Sequence, residues 1–291
     1  MQRTKNKQPL LIATGDWHLR EDKPIARIDD FWYAQWRKVV WITSLATQLK
    51  CPIIQAGDIF HHWKPSPYLL STTMQYLQGE NIKAIYGNHD LPQHSLTMAE
   101  KSGMFTLQEA GVIELLFGTH WGQTPGEDHI LNMGGKRVCV WHVMTWLGET
   151  PWPGCTDLPA DKLLDQYEDI DLLITGHNHK SFAIQRDGRW LVNPGSITRQ
   201  TADQENHEPS VYVYYSDGSL EKKPIPMASN VITREHIERK EHRDDRIDAF
   251  VSRLDGEWQA GISFEENLER FISKNQIRQS VKEIIQKALD S

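Results

Sequence analysis

Apolar runs along this chain stop repeatedly at a glycine that is followed by polar residues. "PLLIATGD" ends at Asp16, "PIIQAGD" at Asp58, "IKAIYGNHD" at Asp90 and "DLLITGHNH" at His179. Each reads as a short buried strand closed by a turn. Between the first two, Phe31, Trp32, Gln35, Trp36, Val39, Val40 and Ile42 recur at helical spacing and predict a helix over about Ile28 to Lys50. A second helix is predicted from Pro67 to Leu77. Further on, "RVCVWHVM" predicts a buried strand, and "FAIQRDGRWLVN" a hairpin with a primed turn at Asp187-Gly188. "SVYVYYSDGSLEKKPIP" predicts a strand pair around Asp217-Gly218, and Thr145 to Pro159 a long loop beside a strand end. Strands alternating with helices predict an α/β fold, with two sheets covered by helices as a four-layer α/β/β/α sandwich. From about Asn230 the pattern changes. "DDRIDAFVSRL", "FEENLERFISK" and "IRQSVKEIIQKAL" place apolar residues three and four apart among mixed charges, as amphipathic helices do. The expected organisation is a main domain over 1–228 and a C-terminal helical appendage over 229–291.

Composition adds little to this and excludes some classes. With 39% hydrophobic and 24% charged residues the chain is that of a soluble globular protein, and no apolar run is long enough to span a membrane. The opening "MQRTKNKQP" has no apolar leader, and Cys51, Cys139 and Cys155 form neither a disulfide framework nor a zinc pattern. A cytoplasmic location is therefore expected. The net charge of −7 argues against a general nucleic-acid coat. It does not exclude a cleft in which a basic strip and bound divalent cations reverse the local field.

The chemistry lies where the apolar runs stop. Ligands of open α/β sheets bind beyond the carboxyl ends of the strands. Asp16, His18, Asp58, Asn88, His89, His142, His177 and His179 all sit there and should converge. In an extended segment residues two apart face one way, so Asp16 with His18, and His177 with His179, are expected to reach one ion together. One histidine after a strand usually caps or packs; five such clusters in order point to a metal centre. Two divalent ions about 3.5–4 Å apart need a bridging carboxylate, and Asp58, the only acid of its cluster, is the expected bridge. Gly57 and Gly87 leave room for close backbone approach. No cysteine joins the set, and the mix of imidazole and carboxylate suits Mn²⁺, Fe²⁺ or Zn²⁺.

"GDWH", "GDIF", "GNHD", His142 in "VWHVM" and "GHNH" resemble the five blocks of the calcineurin-like metallophosphoesterases, over about Leu10 to Pro226. "GDIFHHWKPSPYLL" and "NPGSITRQ" resemble more closely the SbcD-like DNA repair exonucleases, the catalytic partners of SbcC-type ATPases. The resemblance implies one metal held by Asp16, His18, Asp58 and His179, and a second by Asp58, Asn88, His142 and His177. It also implies that His89 faces the scissile phosphate, oriented by Asp90, and that His61 assists there while His62 faces elsewhere. Arg20 stands where the family usually has Gly, and Trp17 where it often has a smaller residue. The Asp-Arg-Gly block and the Glu after Asn-His of the related protein phosphatases are absent; His61-His62 and Asp90 stand there.

The expected function is a dinuclear phosphodiesterase, a DNA exonuclease or endonuclease using Mn²⁺, with Fe²⁺, Zn²⁺ or Mg²⁺ as alternatives. The rival readings are a phosphodiesterase for a small nucleotide or other small diester, and a non-catalytic scaffold of the same fold. The expected partners are DNA and an SbcC-type ATPase subunit on the C-terminal helices, or a homodimer, with no membrane. Trp146 and Trp152 beside His142 offer faces for unpaired bases, although loop anchoring is the commoner use of such residues.

Overall fold

The computed structural model describes residues 7–257, 264–274 and 277–289; residues 1–6, read above for a leader, lie outside these. The chain divides into two units, Met1–Thr233 and Arg234–Ser291. The first is the expected four-layer sandwich.

One sheet runs through β1 (Pro9–Thr14), β2 (Ile53–Gln55), β3 (Ile82–Ala84), β4 (Glu114–Leu115), β10 (Ser210–Tyr215) and β11 (Leu220–Pro224), in the order β11-β10-β1-β2-β3-β4. The other holds β5 (Ile130–Met133), β6 (Lys136–His142), β7 (Leu172–Gly176), β8 (Phe182–Arg186) and β9 (Arg189–Asn193), in the order β5-β6-β7-β9-β8. β1, β2, β3 and β4 are parallel, as are β6, β7 and β9, so their carboxyl ends point the same way within each sheet.

Both faces of the central strands are covered, which is why they read as unbroken apolar runs. Leu11, Ala13 and Ile54 face Val140, Leu172 and Ile174 across the gap between the sheets. Ile12 and Ile53 face the opposite way, onto α1 (Phe31–Leu49), α2 (Pro67–Leu77) and α3 (Gly103–Glu109), through Trp36, Val39, Leu77 and Leu107. Cys139, Leu173 and Leu191 pack on α4 (Ala160–Asp165) through Leu163 and Leu164. α1 starts at Phe31, later than the periodicity suggested. The Asp30 carboxylate caps it by accepting from Tyr33 N, while Ile28 N is committed to Val231 O. α2 starts where expected, with Ser66 as cap and Pro67 at the first helical position. The Asp187-Gly188 turn has positive φ at both residues, as a primed turn requires.

Arg27 pairs with Ile232 and Thr233 N donates to Ala26 O, so the first unit extends past the boundary expected at 228. The second unit holds α5 (Glu235–Glu257), α6 (Phe264–Lys274) and α7 (Gln279–Leu289), with Leu268 and Phe271 of α6 buried. Among the described residues no helix is long and apolar enough to cross a membrane.

Ile54 is fully buried between the sheets, three residues before the turn at Gly57. Ile54→Ala should cost about 2–5 kcal/mol of unfolding free energy in urea denaturation. A loss under about 1 kcal/mol would mean that the gap between the sheets is not a close-packed core.

Candidate metal centre

The loops after β1 and β2 stay paired beyond the strands: Asp16 N donates to Gly57 O (3.1 Å), His18 N to Asp58 O (2.9 Å) and His61 N to Leu19 O (3.0 Å). This brings the first two blocks together. Asp90 ties in the third. Its Oδ2 accepts from Asp58 N (2.7 Å) and Gly87 N (3.0 Å), and its Oδ1 from Phe60 N (3.2 Å). The expectation that Asp90 orients the His89 imidazole is therefore corrected: both its oxygens are spent on backbone amides, and it clamps two loops. The His89 ring is held instead by the main chain, with Nδ1 2.7 Å from His61 O.

The donor atoms form two groups around one carboxylate. In the first, His18 Nε2 lies 3.0 Å from His179 Nε2, and Asp16 Oδ1 lies 3.9 and 4.0 Å from these two nitrogens. In the second, Asn88 Oδ1 lies 3.1 Å from His142 Nε2 and 2.9 Å from His177 Nδ1. Asp58 Oδ2 stands between the groups, 3.6 Å from His18 Nε2 and 3.4 Å from His142 Nε2. Metal–ligand bonds of about 2.0–2.2 Å put neighbouring donors about 3–3.5 Å apart, so most of these spacings are edges of coordination shells. Asp16 Oδ2 is buried with no hydrogen-bond partner, a lone-pair donor waiting for a cation. His142 Nδ1 faces Ala56 O at 2.7 Å; a carbonyl only accepts, so Nδ1 carries a proton and Nε2 is the nitrogen turned toward Asp58 and Asn88. His18, His61 and His89 also lie close enough to share an ion, so geometry alone leaves the last two available as ligands.

Electrostatics fits the same donors. Burial, with Asp58 nearby, raises Asp16 to about 8 and Asp90 to about 7. Burial acts on Asp58 too, but His142 and His18 hold its carboxyl well below the usual range, and Asp58 in turn raises His142 to about 9. Burial lowers His18, and it lowers His177 to about 4 with help from His142. Burial likewise lowers His179. Those three imidazoles are neutral at physiological pH, the form that ligates metal.

The route to convergence differs from the one expected. Asp16 (φ 48°), His18 (φ 45°), Asp58 (φ 59°) and His177 (φ 80°) are left-handed, so the alternation of an extended strand does not apply to them. Tight turns aim these side chains instead, each costing about 1 kcal/mol or more of backbone strain. Glycines provide the space. A Cβ on Gly87 would lie 2.1 Å from Asp58 Oδ1, and one on Gly57 2.4 Å from His142 Nδ1.

Three residues around the donors went unassigned in the sequence. Arg20 lines the cavity beside His18, His61, His89 and His179, ion-paired with Asp22. Its departure from the family pattern was the signal. Gln200 lines the same cavity and donates to His18 O at 3.2 Å. The Trp121 ring lies 4.8 Å from that of His177, and nothing in the local pattern distinguished it from a core tryptophan. His62 is exposed and Trp152 is 47% exposed, while half-buried Trp146 anchors its loop by donating to Asp157 O.

A sandwich that gathers histidines, aspartates and an asparagine in two groups at the ends of its strands is of the metallophosphoesterase class. The calcineurin-like phosphoesterase superfamily domain matches residues 12–216, and the chain belongs to that superfamily, whose members are metal-dependent phosphoester hydrolases with a dinuclear centre. Solved structures similar to it include an archaeal phosphodiesterase, at 11% identity and a TM-score of 0.44 over 74% of this chain and 98% of that one. Another is Vps29 from Entamoeba histolytica complexed with zinc, at 18% identity and a TM-score of 0.36 over 74% of this chain and 97% of that one.

Gly87→Ala should displace the Asp58 carboxylate without removing any donor. Metal bound per chain, read by elemental analysis after dialysis, should fall well below that of the unaltered protein, with the far-ultraviolet circular dichroism unchanged. Full metal content would show that Asp58 takes no part in holding it.

Proposed function

We propose that this chain is a two-metal phosphodiesterase that cleaves DNA. The observation that carries the reading is a pair of cavities that meet at His179. One, of about 110 Å³, is lined by His18, Arg20, His61 and His89; the other, of about 590 Å³, is lined by His177, Lys180, Lys222 and Met144. A diester has substituents on both sides of its phosphorus, and a centre open on two sides receives both. Arg20 and the uncharged His18 and His61 imidazoles around the smaller cavity suit the single negative charge of a diester. Burial and Arg20 lower His61 to about 4, so it meets the phosphate uncharged. Lys180 on the larger side is placed for a continuing phosphate backbone, while Lys222 there is ion-paired with Glu208 at 3.0 Å. The SbcD-like blocks favour DNA over a small diester.

In this reading Asp16, His18, Asp58 and His179 hold one cation, and Asp58, Asn88, His142 and His177 the other. Mn²⁺ is the expected ion; the mixed imidazole and carboxylate donors suit it as they suit Fe²⁺ and Zn²⁺. The bound cations supply Lewis acidity toward the phosphoryl oxygens and the attacking water. The protein's own contribution to leaving-group departure is His89. With its Nδ1 proton donated to His61 O, only Nε2 is free to carry a proton to the departing sugar oxygen. His61 offers a neutral hydrogen-bonding group to a phosphoryl oxygen, and Asp90 positions the loops that carry Asp58 and Gly87.

The test is an assay of the Mn²⁺-loaded protein on end-labelled single- and double-stranded DNA and on an aryl phosphodiester. DNA shortened or nicked, with the activity lost in chelator, is the expected result. Turnover of the aryl diester with no DNA cleavage would assign a small diester substrate instead. His89→Ala should keep its metal and lose about 10²–10⁴-fold in rate on DNA, with a smaller loss on the aryl diester, whose acidic leaving group departs without a proton. Equal losses on both substrates would remove His89 from leaving-group protonation.

A further inference from the structure

Away from the metal centre, α1 and the segment after β11 enclose a cavity of about 350 Å³ lined by none of the candidate metal ligands. Its floor is cationic. Arg27, Lys38 and Arg199 line it and are buried, at 5%, 6% and 6% exposure, and Arg37 lies at its rim. Only Asp29 and Asp30 oppose these four cations, in a chain whose net charge is −7.

The partners of each group show what is left unmet. Arg27 makes a bidentate pair with Asp29, at 2.7 and 2.6 Å, and donates to Arg199 O. Asp30 is spent on the α1 cap. Arg199 gives its donors to two carbonyls, Glu205 O (2.8 Å) and Ala228 O (2.6 Å), and ion-pairs with no carboxylate among the described residues. Lys38 has no hydrogen-bond or ion-pair partner among the described residues, although it stands in the cavity wall in the middle of a helix. Burial and the facing Arg27 and Arg199 lower its ammonium to about 7. A buried lysine with no ion-pair partner is costly, the nearby Asp29 offsetting only part of the penalty, and nothing in its packing requires the charge, because Val39 and Ile42 already supply the apolar face of α1. The lining also has aromatic and apolar members: Tyr33 of α1, 61% exposed and with the Arg37 guanidinium 5.7 Å from its ring centre, and Met227 and Val231 from the segment after β11.

We propose that this cavity is an anion site for a phosphate group attached to a planar base. Lys38 and Arg199 would neutralise the phosphate, and Tyr33 and Met227 would face the base. Two basic groups with no carboxylate partner suit a phosphate group, whose negative charge would favour the protonated form of Lys38, and the volume is at the low end of the range of small-ligand pockets, about 300–1,000 Å³. The phosphate can come from a free nucleotide or from a nucleic-acid strand. The proposal does not rest on the metal centre or on the substrate cleaved there.

The test is calorimetric titration of the full chain with inorganic phosphate, with AMP and with a short single-stranded oligonucleotide. Each is run with the metal loaded and again in excess chelator, where phosphate at the metal centre no longer contributes. A saturable event that survives chelation, with AMP binding more tightly than phosphate, is expected. Lys38→Met should weaken it by about tenfold or more, the loss of one charge-assisted contact, and leave hydrolysis of an aryl diester unchanged. An effect on AMP alone assigns the site to free nucleotides; an equal effect on the oligonucleotide assigns it to a strand. Should the variant fold poorly, the unaltered protein decides the matter: phosphate should raise its melting temperature in chelator more than chloride does at equal ionic strength. No binding up to about 10 mM, or binding equal in Lys38→Met, would overturn the proposal.

Discussion

Three aspartates stand almost completely out of water at one point of the fold, and their charges cannot all persist there unaided. Asp16 and Asp90 are fully buried and Asp58 is 1% exposed. Burial, and after it the repulsion from Asp58, pushes Asp16 up to about 8 and Asp90 up to about 7. His142 relieves Asp58, and three backbone amides relieve Asp90. Asp16 keeps one oxygen with no partner. Positive charge from outside the chain would relieve this arrangement, and the neutral imidazoles around it have lone pairs that could hold a cation. The pairing of the two loops, the glycines beside Asp58 and His142, and the strained turns all serve to hold these groups at ligand spacing.

That demand explains where the fold bears strain. Four residues of the donor groups adopt left-handed backbone that a β-strand would not impose. The cost is tolerable because the two sheets are rigidly cross-packed immediately behind them, with Leu11, Ile54, Val140 and Ile174 fully buried. Rigid strands end, tight turns follow, and the turns aim the side chains inward. The Asp90 clamp joins the turn after β2 to the turn after β3, so one buried carboxylate fixes the position of Asp58 between the two donor groups.

Much of this was legible in the sequence because the signals were local. Strand termini at Gly-Asp, Gly-Asn-His and Gly-His-Asn-His, the Asp187-Gly188 turn and the Ser66-Pro67 helix start each follow from a few adjacent residues. The role of Asp90 was not legible: its partners Asp58 and Phe60 are some thirty residues away, and only the folded loops bring them to it. The short β4, β5, α3 and α4 escaped because two to seven residues carry too little periodicity to read. Arg20 was visible only as an oddity, since its position at the mouth of the cavity depends on the paired loops. Lys38 read as one charged residue on a helix, because the cations facing it come from Arg27 and from Arg199, far along the chain.

The central claim is that one oxygen of Asp58 lies between two cations. Anomalous diffraction from crystals of the Mn²⁺-loaded protein tests it most directly. The account expects two peaks about 3.5–4 Å apart, with Asp58 Oδ2 between them, one peak beside His18 and His179 and the other beside Asn88 and His142. A single peak, or a second one seated on His61 and His89 with Asp58 outside both shells, would contradict it.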